Sequence, residues 1–126
     1  MGEPLLPQDV LRFIDQHVDS VPHLETLLLL RETAPRPWTV DEIVRRIYLP
    51  RERVEAVLRD LLAKQWLEPL ADAFVFSTHP PEATVIRQVA DAYRHNLVRV
   101  AEAIHRKAPA PVLDFARAFH LRKEEP

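Results

Sequence analysis

The chain has 126 residues, a formal net charge of −2, 47% hydrophobic residues, no cysteine, twelve prolines and one glycine. That length suits one domain over 1–126 with an ordinary core, and the missing cysteines exclude disulfide frameworks and thiol chemistry. No apolar run approaches the roughly 18 residues of a membrane span, Met1-Gly2-Glu3-Pro4 lacks the basic start of a signal peptide, and a cytoplasmic setting is expected.

Val10, Leu11, Phe13, Ile14 and Val18 recur at helical spacing and predict an amphipathic helix over 8–18. Its polar side is acidic, which suits packing against the C-terminal helix better than contact with phosphates. Ser20 fits the cap of a second helix, with Pro22 in the first turn. Leu24, Leu27, Leu28, Leu29 and Leu30 make that helix strongly apolar, and Pro35 and Pro37 forbid its continuation beyond Thr33. Thr39-Val40-Asp41-Glu42 has the capping-box pattern, and Ile43, Val44 and Ile47 supply the buried stripe of a short helix. Tyr48-Leu49-Pro50 is a turn. Pro50 fits the first position of the next helix, where its missing N–H costs nothing, and Val54, Val57, Leu58, Leu61 and Leu62 form its apolar side. Trp66-Leu67 and Phe74-Val75-Phe76 read as two strands turned at Ala71-Asp72-Ala73, although the turn lacks an Asn-Gly or Asp-Gly pair.

Thr78-His79-Pro80-Pro81 breaks the chain, and a long helix is predicted from 82 to 107. Ile86, Val89, Tyr93, Leu97, Val100 and Ile104 form a continuous seam along it. A helix of about 26 residues extends roughly 39 Å, longer than the small core beneath it needs. The expected use of the surplus is a symmetric homodimer; the alternative is folding against 8–18 within one subunit. Ala108-Pro109-Ala110-Pro111 ends the helix. Val112, Phe115, Ala116 and Phe119 then make a short apolar stripe that needs a groove, on the same subunit or on a partner.

The expected fold class is mainly α with a small β-hairpin: a winged helix-turn-helix core over 20–77, flanked by an N-terminal helix (8–18) and a C-terminal helical extension (81–121). Segments 24–31, 38–47 and 50–67 resemble the winged-helix part of the MarR-like and PadR-like bacterial regulators, and the flanking helices resemble their dimerisation helices. The chain also resembles a small bacterial family of winged-helix proteins with Phe115-Ala116-Arg117-Ala118-Phe119 as signature. The resemblance implies a DNA-binding regulator, and the MarR-like analogy makes an effector pocket between dimer helices and core conceivable, with Phe13, Trp66 and Tyr93 as candidate walls; nothing in the sequence demands it, and a filled core is expected there.

In a helix-turn-helix the second helix of the motif lies in the major groove with its N-terminal residues at base edges. Here Arg51, Glu52, Arg53, Glu55 and Arg59 are expected to stand outward together, opposite Val54, Val57, Leu58 and Leu61, and Arg51, Arg53 and Arg59 are the candidates for bases, an arginine reading guanine as a bidentate donor. Arg45, Arg46 and Lys64, with Arg36, are the candidates for phosphates of double-stranded DNA. Against this, residues 34–79 carry seven groups of each sign, residues 1–33 sum to −4, and the wing offers Glu68 and Asp72 but no base. Glu55 stands four residues before Arg59, as in an intrahelical ion pair. A neutral core with an acidic wing fits the second reading, a protein-binding adaptor, whose exposed groups would be Trp38, Tyr48 and Trp66 if these are not core; at the edge of an apolar run, the core is the expected place for Trp38 and Trp66. An enzyme is not expected: no histidine pair has zinc-motif spacing, and neither Ser20 nor Ser77 sits in a nucleophile elbow. His17 and His23, with Asp15 and Asp19 nearby, are only a thin metal hypothesis. No cofactor is expected.

Overall fold

A computed structural model describes residues 6–106. Six helices and three short strands follow one another as α1 (Gln8–His17), α2 (Val21–Thr33), β1 (Trp38–Thr39), α3 (Val40–Ile47), α4 (Arg51–Ala63), β2 (Leu67–Leu70), β3 (Ala73–Phe76), α5 (Ala83–His95) and α6 (Leu97–Arg106). The mainly helical class with a small antiparallel sheet is therefore as expected. The apolar stripe 112–119 and the rest of the extension to 121 lie outside the described residues.

Local signals place most of these boundaries. Ser20 caps α2, its hydroxyl accepting from the His23 N–H at 3.2 Å. Thr39 and Glu42 close both halves of a capping box on α3: the Thr39 hydroxyl accepts from the Glu42 N–H at 3.2 Å, and the Glu42 carboxylate accepts from the Thr39 N–H at 2.9 Å. Those bonds, the Thr39 N–H first, hold the Glu42 carboxyl below its ordinary range. Tyr48 ends α3 in the left-handed region at φ 64°. Pro50 sits one position earlier than expected, as the cap before α4, its carbonyl accepting from the N–H groups of Arg53 and Val54. At the far end the Trp66 N–H reaches the Leu61 carbonyl and the Gln65 N–H the Leu62 carbonyl, with Gln65 left-handed at φ 65°. That pair of bonds is a Schellman closure.

Two expectations need correction. The hairpin is part of a three-stranded sheet in the order β1-β3-β2, because Trp38 and Thr39 pair with Phe74 and Ala73. Two residues are too few to show a period, so nothing local marks β1. The long helix over 82–107 is two helices. Asn96 leaves helical geometry at φ −147°, ψ 49°, between α5 and α6. The reason is what they cover: α5 and α6 both pack on α1, whose ten residues span only about 15 Å, so a straight rod would overrun its support. Asn suits such a break because its side chain competes with backbone pairing.

A single cluster of buried side chains runs through all these parts. Val10, Phe13 and Ile14 of α1 join Ile86, Val89, Val100 and Ile104 of α5 and α6, each at most 3% exposed. The seam expected to hold a second subunit is thus largely spent inside the chain, which is the alternative weighed for it. Trp66 is fully buried; its ring stacks on Phe13 at 5.2 Å between centroids and meets the His17 ring edge-on. Trp38 is buried too, its indole N–H donating to the Thr33 hydroxyl at 2.8 Å.

Candidate nucleic-acid interface

Helical geometry decides what α4 can present. At about 100° per residue, the buried Val54, Leu58 and Leu61 define the inward side. Opposite them runs the outermost stripe: Glu52, Ala56, Arg59 and Ala63, all exposed. Arg51 and Arg53 are two positions apart, about 200° around the axis, and therefore lie on opposite flanks. They do not stand outward together.

The six basic residues separate accordingly. Arg51, on the flank toward α3, is paired with Asp41 and reaches Glu55 at 3.9 Å. Lys64 is held inward: its ammonium lies 2.9 Å from an Asp60 carboxylate oxygen and donates to the His17 carbonyl at 3.2 Å. Arg45, Arg46, Arg53 and Arg59 are exposed and have no ion-pair partner among the described residues. The expected Glu55–Arg59 pair is absent there, because Glu55 turns to Arg51. Arg36 stacks on Trp38 at 3.8 Å and pairs with Glu42 at 3.5 Å.

The two engaged residues differ in how firmly they are held. Arg51 and its acids keep roughly half their surface in water. Pairs of that kind contribute about 0.2–1 kcal/mol, less than the about 1–3 kcal/mol of a bidentate guanine contact. Arg51 is therefore exchangeable. Lys64 is about a quarter exposed, and its partner Asp60 also binds the buried His23, with 2.6 Å between Nε2 and the carboxylate. Burial pushes the Asp60 carboxyl up, but the hydrogen bonds from Lys64 and His23 outweigh it and hold the group below its ordinary range. Lys64 thus cannot swing to a phosphate without breaking this junction of α1, α2 and α4, and it leaves the candidate surface.

The same junction answers the metal hypothesis. Among the described residues, Asp19, His23 and Asp60 bring one ligand atom each within 4.8 Å of one another. The Lys64 ammonium already supplies the cation there. His17 and Asp15 are not in that group; His17 faces Glu82 at 3.3 Å instead.

Sequence reasoning placed Glu52 on the exposed side without giving it a role, and missed Ala56 and Ala63. The signal was the 100° step itself: two alanines on the outermost stripe make a thin side that a groove can approach closely. Glu52 beside them can accept from a cytosine amine.

The three candidate effector walls do not line one space, in keeping with the filled core expected there. Phe13 and Trp66 fill the core, while Tyr93 lines a groove of about 390 Å³ between α2, the Tyr48 turn and α5, together with Glu25, Glu32 and Arg46. Its hydroxyl donates to Glu25 at 2.9 Å; burial first, then that carboxylate, pushes the phenol up to about 12. Of the three aromatic groups weighed for an adaptor, only Tyr48 is exposed, at 88%.

No family model, curated protein or solved structure matches the chain. The reading of the site rests on its geometry. Among the described residues, no helix is long and apolar enough to cross a membrane.

Proposed function

We propose that the protein is a cytoplasmic transcriptional regulator that binds double-stranded DNA through α4. The observation that carries this reading is the outward stripe of α4, where Arg59 stands between two alanines and is flanked by the unpaired Arg53. In this reading the stripe lies along the major groove, Arg59 and Arg51 donate to guanine edges, and Glu52 accepts from a cytosine amine. Arg53 and Arg45 hold phosphates on either side. A symmetric operator takes two copies, their α4 helices about 34 Å apart or a multiple of it. With most of the helical seam buried, the apolar surface offered to a second copy in this reading is Leu97 and Val98, 51% and 64% exposed at the start of α6.

The test is selection from a random duplex pool, followed by titration of the selected site against salt. The double variant Arg45→Ala, Arg53→Ala is expected to weaken binding to all duplexes and to lower the slope of log K against log salt by about two, and Arg59→Ala to relax the sequence preference at one position. Lys64→Ala is expected to leave the slope unchanged. A pool from which no duplex is enriched would sink the reading.

A second reading, a protein-binding adaptor, is favoured by one observation: acids neutralise Arg51 at the base-reading end of α4, and the wing, β2 to β3 with its turn, carries only Glu68 and Asp72 as charges. It predicts capture of a protein partner that survives high salt and is lost with Tyr48→Ala.

A further inference from the structure

We infer that the groove between α1 and α6 is the docking site of the chain's own segment 112–119. The groove has a volume of about 330 Å³ and is lined by Leu11, Ile14 and Ala103 on its apolar side, with Asp15 and Arg106 at its rim. Leu11, a residue of the otherwise buried face of α1, keeps 39% of its surface exposed here. Arg106 is both a lining residue and the last residue of α6. The chain therefore leaves the described fold at the lip of this groove, with twenty residues still to follow.

The sequence of those residues suits the site. Lys107 to Pro111 is a five-residue connection that reaches at most about 17 Å, enough to reverse direction over the end of α6. Pro109 and Pro111 oppose a simple continuation of the helix. Val112, Phe115, Ala116 and Phe119 then fall at steps of three and four, one apolar face if the segment is helical. Its two rings match a groove with an aliphatic floor.

A segment tethered five residues away meets the groove at an effective concentration in the millimolar range. That favours it over the same segment of a second copy.

Because the chain has no cysteine, engineered pairs test this without background. In the full-length protein, Leu11→Cys combined with Phe115→Cys or with Phe119→Cys is expected to form a disulfide within one chain under mild oxidation. The rate should exceed that of a control pair, Leu70→Cys with Phe119→Cys, by about tenfold or more, as the gain in effective concentration requires. Equal rates, or a crosslink only between chains, would overturn the proposal. Independently, Phe115→Ala with Phe119→Ala is expected to speed amide exchange in α1 and the last turn of α6 by about tenfold while leaving α3 and α4 unchanged. Unaltered exchange in α1 would overturn it as well.

Discussion

At one end of α4 Arg51 lies between Asp41 and Glu55; at the other, Asp60 lies between His23 and Lys64. The arrangement is alike, a charged group bracketed by two polar partners. The surroundings differ. The first set is half in water, while the second closes over a histidine that is 97% buried, leaving it 3% exposed. The first is therefore a surface that trades partners, and the second is a rivet joining α2, α4 and the end of α1. One helix thus has an end suited to meeting a ligand and an end suited to holding still.

The largest effect that tests this contrast is Asp60→Ala. It leaves His23 without a partner on either ring nitrogen, since Nδ1 is already buried and unpaired. Removing one partner of a fully buried pair costs about 3–5 kcal/mol. Asp60 keeps a third of its surface exposed, so about 2 kcal/mol is expected from urea unfolding once solvent screening is discounted. The same group sets the acid behaviour. Its folded-state affinity for protons is depressed, so its contribution is present above its unfolded pKa of about 4 and is lost as pH falls through the lower folded value. Unfolding free energies measured on either side of pH 4 should therefore converge for wild type and Asp60→Ala as the pH drops.

Thr39→Ala comes next. It removes the hydroxyl that caps α3 near the exposed end, and about 1 kcal/mol is expected from the same measurement. Arg51→Ala should change stability by less than about 0.5 kcal/mol. A loss as large as that of Asp60→Ala would erase the distinction between the two ends. A last test, away from α4, is at alkaline pH. The raised Tyr93 phenol, about 12, contributes stability that is complete below the unfolded value near 10 and lost as pH rises through 12. Absorbance titration of wild type against Tyr93→Phe should show one tyrosine ionising that late.

What the residues disclosed in advance was local. The Ser20 cap, the Thr39–Glu42 box and the apolar side of α4 are each written within a few neighbouring positions, and each appears in the structure. The break at Asn96 was hidden because the apolar period runs through it undisturbed; only the shortness of α1 requires it. The pairing of Trp38 with Phe74 joins residues far apart in the chain. So does the His23–Asp60 contact, across 37 positions. Asp60 and Lys64 stand at the i, i+4 spacing of an ion pair, but no spacing rule shows that His23 and the His17 carbonyl lock that pair inward and so take Lys64 off the candidate surface. The opposite sidedness of Arg51 and Arg53 was legible from the helical step; the capture of Arg51 by Asp41 was not.

The close of α4 has one more consequence. Gln65 occupies a left-handed position usually given to glycine, and Tyr48, Ala71 and Glu82 do the same elsewhere among the described residues. A β-carbon there costs about 1–2 kcal/mol, while glycine would loosen the unfolded chain by about 0.4–1 kcal/mol. The molecule thus stands below its own ceiling of robustness, and Gln65→Gly should raise its melting temperature without altering a single packed contact.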